Sequence, residues 1–300
     1  MSERVETLAL GNLARTRTRA ADYLELTKPR VVAMVLVATA AGFYLGETRA
    51  FDYLIALNLM IGTAAAAGGT LALNQFIERD LDAKMERTRM RPLPDGRLRP
   101  VEALVFGTIA TVAGCAYLWM AVNALSSIVT IAIAVLYLFA YTPLKRISAI
   151  CSVVGAIPGA LPPVVGWAAA RGSLGVEPMV LFAIMFLWQL PHSLAIAQLY
   201  RNDYACAGIR LLPLDDPNGK ATGRQIVSNC LALVAVGMLP TILGFAGIIY
   251  CVVATAAATI MLVYGIKLAA APATVAARRV MVASLIYLPV VLLMMVLDKV

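Results

Sequence analysis

Long apolar runs separated by short polar connections dominate the chain. A helix needs about 20 mostly apolar residues to cross the hydrocarbon of a bilayer. Nine such segments stand out, at roughly 31–46, 53–77, 101–121, 124–141, 149–170, 177–200, 225–245, 249–268 and 279–297. The expected fold class is all-α, a polytopic membrane bundle of nine transmembrane helices. Residues 31–300 would form one membrane domain behind an N-terminal arm at 1–30. The second and fifth segments are rich in Gly and Ala, which let helix backbones approach closely in lipid, so both are expected inside the bundle.

Composition agrees with this pattern. Hydrophobic residues make up 61% and charged residues only 14% of the chain, with a mean hydropathy of +0.83. A soluble domain carries about 25% charged residues, so a water-facing globule is excluded. A net charge of +8 could suggest nucleic acid. The charges are broken up by long apolar runs, which makes a lipid bilayer the expected partner and excludes nucleic acid. Of the 25 Lys and Arg, only Arg49, Arg171 and Lys299 fall at the ends opposite the N-terminal arm. By the positive-inside rule the N-terminus is cytoplasmic, and with nine spans the C-terminus lies on the other side. The polar stretch before the first apolar run is longer than an ordinary charged leader, and Glu3, Glu6, Asp22 and Glu25 argue against a mitochondrial presequence. The five cysteines show no CxxC spacing, so neither a disulfide framework nor a zinc site is expected.

A coarse echo runs through the chain. Long connections follow the second and sixth segments and short basic ones follow the fourth and eighth, which hints at two related four-helix halves plus one helix. The first long connection opens with acids. At 100° per residue, Asn74, Glu78 and Asp82 share one helix face while Asp80 points elsewhere. Like charges at this spacing repel, and near lipid an unpaired charge costs at least ~2.5 kcal/mol at the bilayer centre. A divalent cation is one compensation, since Mg²⁺ takes one or two carboxylates plus phosphate oxygens and water. Pairing with Arg79, Lys84 and Arg87 is the other. In the second long connection, Asp203 again follows the cytoplasmic end of an apolar helix, whereas Asp215 and Asp216, beside Pro217 and Gly219, read as turn residues.

The sequence resembles the protoheme IX farnesyltransferases (haem O synthases), a branch of the UbiA superfamily of intramembrane prenyltransferases. The likeness runs from about Tyr23 to about Gln225 and rests on several separate motifs. Leu26-Thr27-Lys28-Pro29-Arg30 opens the first span. Asn74 through Asp82 continues into Met85-Glu86-Arg87-Thr88 and Arg91-Pro92-Leu93. Tyr141-Thr-Pro-Leu144-Lys145-Arg146 precedes Pro162-Pro163 and Gly166-Trp167, and Trp188-Gln-Leu-Pro191-His192 precedes Asp203-Tyr204.

The resemblance implies a helical bundle with a laterally open central cavity, capped by the two polar cytoplasmic loops, in a bacterial inner membrane. It implies transfer of a farnesyl group from farnesyl diphosphate to the 2-vinyl group of haem b, with water addition giving haem O. Asn74, Glu78, Asp82 and Asp203 would be the catalytic set, holding Mg²⁺. Arg30, Arg79, Lys145 and Arg146 would touch the diphosphate. Tyr141, His192 and Tyr204 would line the haem or prenyl cavity. Partners of the haem-A synthase or terminal-oxidase assembly kind go with the same resemblance.

The chain departs from the family pattern in places. Glu78 stands where Asp is usual, residues 148–152 lack a polar Asn-Thr pair, and Arg210 replaces a common Pro. Two other readings remain at this stage. One is a UbiA-type prenyltransferase for an aromatic acid or quinone precursor, disfavoured because Ala207 occupies the position four after Asp203, where a second Asp is common there. The other is a secondary transporter, which would place its ionisable residues near the midplane rather than at one rim.

Overall fold

Pro29 occupies the first turn of the first long helix, where its missing N–H leaves no partner wanting. In the computed structural model, which describes residues 18–48 and 51–300, similar local signals start several of the spans. Asp52 accepts from the backbone N–H groups of Leu54 and Ile55, both at 3.0 Å, and so caps the second span. Asn123 caps the fourth through Ser126 N at 2.8 Å. Glu3, Arg4, Glu6, Arg15, Arg17 and Arg49 lie outside the described residues, as does most of the predicted arm.

The elements are all helical. A short α1 (Arg19–Leu26) precedes α2 (Pro29–Gly46), α3 (Tyr53–Asp82), α4 (Pro100–Ala121), α5 (Ala124–Leu144), α6 (Cys151–Arg171) and α7 (Val176–Leu199). Two short helices, α8 (Arg201–Cys206) and α9 (Leu212–Asp215), lead to α10 (Lys220–Ile242), α11 (Ile248–Ala270) and α12 (Thr274–Leu297). Among the described residues, nine helices are long and apolar enough to cross a membrane, matching the nine predicted segments. The chain is a multi-pass membrane protein.

Two groups of helices pack side by side. In the first, α3 lies along α4, α2 lies along α6, and α5 bridges α4 and α6; in the second, α7, α10, α11 and α12 pack together, with α7 also against α6. Small residues allow the closest approaches. A Cβ on Gly69 of α3 would fall 2.5 Å from the amide nitrogen of Thr111 in α4. One on Gly166 of α6 would run into the Thr39 carbonyl and fall 2.5 Å from the Phe43 nitrogen in α2. As expected from its composition, α6 is the most enclosed span, with 61% of its apolar window buried against 28–44% elsewhere.

Three prolines shape the spans that flank the site. Pro162 and Pro163 break α6 at Leu161, leaving helical pieces Cys151–Ala160 and Pro162–Arg171. In α5, residues Leu136–Tyr141 form a π-helical turn, and the Thr142 N–H reaches the Tyr137 carbonyl. Pro143 follows, whose ring would clash with the carbonyl four residues back in a regular helix; the wider turn relieves that conflict. All five cysteines are free.

Candidate active site

Helix α3 runs unbroken to Asp82, so the predicted face of Asn74, Glu78 and Asp82 is helical throughout. All three are buried, while Asp80 is exposed. Burial of two acids one turn apart demands compensation, and distant segments supply it. Lys145, just beyond α5, donates to Glu78 Oε1 at 2.6 Å. Arg91 donates through Nη1 to Asp82 Oδ2 at 2.7 Å. Lys28, at the mouth of α2, donates to Asn74 Oδ1 at 2.9 Å, and Asn74 Nδ2 donates to Thr142 Oγ1 at 3.1 Å. Three basic side chains thus surround two carboxylates.

The two long connections meet above this cluster. Leu81 and Met85 of the first pack against Ala207 and Ile209 of the second, with Tyr204 and Leu211 alongside. Asp203 Oδ2 accepts from the Arg87 backbone N–H at 3.4 Å, and Arg87 Nη2 donates to Tyr204 OH at 3.3 Å. The Arg87 guanidinium also lies 5.0 Å from the Tyr200 ring centre. Asp82 and Asp203 therefore belong to one capped rim. The Arg210 N–H donates to the Lys145 carbonyl at 2.8 Å, a bond that the proline common at this position could not make.

Lys145 is held by more than Glu78. Its ammonium sits 4.3 Å from the centre of the Tyr141 ring, which lies 5.2 Å from that of Tyr137. A Cβ on Gly155 would strike the Tyr141 ring, so the bare backbone of α6 makes room for it. Burial works against the charge on Lys145, but Tyr141, Glu78 and Tyr137 outweigh it and hold its pKa well above the usual lysine value. Lys28 goes the other way: burial, with Arg91 adding to it, pushes it down to about 7.

The predicted site residues divide into those brought together and those left out. Asn74, Glu78, Asp82, Lys145 and Tyr141 form the cluster, and Asp203 and Tyr204 cap it. Arg79 turns back on its own helix, donating to the Phe76 carbonyl at 2.9 Å and lying over the Phe76 ring at 4.8 Å. Arg30 and Arg146 are exposed. Lys28, Arg91 and Thr142 take the places next to the acids. Of the alternative pairing with Arg79, Lys84 and Arg87, only Arg79 meets an acid of this helix end, the exposed Asp80 at 3.7 Å; Lys84 is exposed and Arg87 serves Asp203 through its backbone. Among the described residues no three acidic, His or Cys side chains gather as a ready metal cradle.

His192 sits apart from the cluster, in α7 against α12. Its ring stacks on Trp188 with centres 5.2 Å apart, and Nδ1 lies 2.7 Å from Ser284 Oγ. Ser284 donates its proton to the Met281 carbonyl at 2.7 Å, so it accepts from His192, which assigns the proton to Nδ1 and leaves the Nε2 lone pair free of this bond. A lateral groove of about 690 Å³ lies on the other side of α3, lined by Leu73, Phe76, Val112, Trp119, Ile131 and Phe139 among others.

Known proteins resemble this chain in sequence and in fold. The chain is 45% identical over 287 residues to the protoheme IX farnesyltransferase of Solibacter usitatus, covering 93% of this chain and 98% of that protein. It is 39% identical to the protein of the same name from Koribacter versatilis, with 93% of each covered. The structure superposes on digeranylgeranylglyceryl phosphate synthase with a TM-score of 0.76 at 18% identity, covering 93% and 98% of the two chains. It superposes on a UbiA homologue from Archaeoglobus fulgidus, bound to DMAPP and Mg²⁺, with a TM-score of 0.66 at 16% identity, covering 90% and 99%. At such identity these structures speak for the fold alone. The description "UbiA prenyltransferase family" matches residues 35–289, and with most of its length inside that match the chain belongs to that family.

Proposed function

We propose that this chain transfers the farnesyl group of farnesyl diphosphate to a vinyl group of haem b, with addition of water, giving haem O and diphosphate. One observation carries the reading: buried Glu78 and Asp82 stand among Lys28, Lys145 and Arg91 beneath two loops that close one rim of a membrane bundle. The relatives described above are named protoheme IX farnesyltransferase.

The donor set fits a hard divalent cation. Glu78 and Asp82 offer carboxylate oxygens and Asn74 an amide oxygen along one face, and the surrounding cations match phosphate oxygens. Glu78, Asp82, Asn74 and, from the opposite loop, Asp203 would hold Mg²⁺. Bound there, it would act as a Lewis acid on the leaving diphosphate. Lys28, Lys145 and Arg91 would turn from the acids to the phosphate oxygens and neutralise charge as the allylic C–O bond lengthens. Arg30, Arg79 and Arg146 stand farther out and would serve only the approach of the anion.

The Tyr141 ring already faces a cation, which suits it to the allylic carbocation that forms when the bond breaks. Burial within the bundle keeps water from that cation until the vinyl carbon attacks. The new C–C bond leaves positive charge beside the porphyrin, water adds there, and a proton is released. His192, with Tyr141 and Tyr204, is assigned to the acceptor side. The loops and Lys28 face the cytoplasm of a bacterial plasma membrane in this reading, and the C-terminus faces the periplasm.

Purified protein supplied with farnesyl diphosphate, haem b and Mg²⁺ should yield haem O by chromatography, and Asp82→Ala should abolish it. Unmodified haem alongside prenylated 4-hydroxybenzoate would move the chain to the aromatic-acid branch.

A further inference from the structure

Lys28 is the one non-glycine residue with positive φ among the described residues, at φ 52° and ψ 65°. That conformation is unfavourable for an L-residue, so something must impose it. Pro29 disfavours the right-handed helical region for the residue before it, which ends α1 but does not aim the Lys28 side chain. The aim comes from how α1 is held.

Arg97, in the first long connection, grips α1 from above. Its guanidinium contacts Asp22 and lies 3.3 Å from Glu25 Oε2, and it also bonds Asp95 Oδ2 at 2.8 Å and the Met90 carbonyl at 2.7 Å. From below, Gln75 donates to the Leu26 carbonyl at 2.8 Å. Gln75 is the neighbour of Asn74, which receives Lys28. Leu26 packs with Ala72, Leu93, Leu98 and Ala103, sealing the same corner. Asp22 is 5% exposed, so its pairing is no loose surface contact.

We propose that Arg97 is a positioning residue for the diphosphate site, acting through α1 to hold Lys28 over Asn74. It never touches substrate. It fixes the last turn of α1, and that turn fixes where Lys28 leaves the backbone. The inference rests on the diphosphate-binding reading above, but part of its test does not.

Full-length protein in phospholipid nanodiscs is treated with an acylating reagent, and modification of each lysine is read by peptide mass spectrometry with no substrate present. Arg97→Ala should raise acylation of Lys28 about tenfold, as loss of a clasp worth one decade in equilibrium implies, and leave Lys145 unchanged. Asp22→Asn, a milder change that covers failure of Arg97→Ala to fold, should raise it several-fold, roughly. In turnover assays Arg97→Ala should raise KM for farnesyl diphosphate about tenfold while kcat and KM for haem b stay within about twofold. Arg97→Lys should recover part of the loss. Lys28 staying protected in both variants would overturn the proposal, as would Lys28 and Lys145 becoming reactive together, or kcat falling with KM unmoved. A wild-type protein that binds no farnesyl diphosphate would defeat the functional reading instead, and the acylation contrast would still decide the role of Arg97.

Discussion

Lys145 and Glu78 meet at 2.6 Å although 67 residues separate them in sequence. The pair joins the end of α5 to the last turns of α3, and both partners are largely buried, with 14% and 9% of their side chains exposed. Removing one partner from a buried pair leaves an uncompensated charge and costs about 3–5 kcal/mol. Lys145→Met should therefore lower the thermal midpoint sharply. Adding Glu78→Gln should restore most of the stability without restoring turnover, because the variant would have lost both a phosphate contact and a carboxylate. Recovery of activity in the double variant would refute the shared role.

Chelation gives a second test. With excess EDTA, formation of haem O should fall by about two orders of magnitude or more, since the buried cations alone would have to carry the leaving charge. Mg²⁺ added back should restore it. Product formed equally well in EDTA would remove the metal from the mechanism.

Asp216 makes a pH-dependent prediction away from the site. Its Oδ2 accepts from Thr222 N at 2.8 Å at the start of α10. Burial raises the pKa of this carboxyl, but the N–H groups of Thr222, Ala221 and Lys220 outweigh it and lower the value below that of an ordinary aspartate. A lowered folded-state pKa means the cap contributes fully above the unfolded value and is lost as pH falls through the folded one. Asp216→Ala should cost about 1 kcal/mol. It should speed amide exchange at Thr222 and Gly223 at neutral pH, with the difference from wild type vanishing in acid.

Gly166 tests the packing of α2 on α6. Alanine there would push Cβ into the Thr39 carbonyl, a backbone atom that cannot rotate away. Overpacking of this kind costs about 1–3 kcal/mol, so Gly166→Ala should lower the thermal midpoint. Gly96→Ala has open space around its Cβ and strains only φ, so it should do less.

Much of the architecture could be read from hydropathy because lipid imposes a length and a composition on every span. The ends were harder to read. Helix α10 begins at Lys220 rather than near 225, since Asp216 caps its polar first turn, and α12 begins at Thr274 because Arg278 and Arg279 lie inside the helix. The face of Asn74, Glu78 and Asp82 followed from helical periodicity, which is local. The partners of those acids did not, because Lys28, Arg91 and Lys145 reach them only once separate spans have assembled. Arg79 illustrates the limit of motif reasoning. One residue from Glu78, it is turned about 100° away from the acidic face, and the structure finds it folded onto Phe76.

The wide turn at Leu136–Tyr141 holds one more residue than an α-helical path through the same stretch would need. A deletion of Phe139 would ask the same stretch to follow ordinary helix and still span the bilayer. The Pro143 ring would then press on a carbonyl that the wide turn now clears, and the strain would fall on the turn that seats Tyr141 against Gly155 and Lys145 on Glu78. Such a shortened chain should insert yet lose activity, which makes a single-codon loss in this stretch far more damaging than its apolar surroundings suggest.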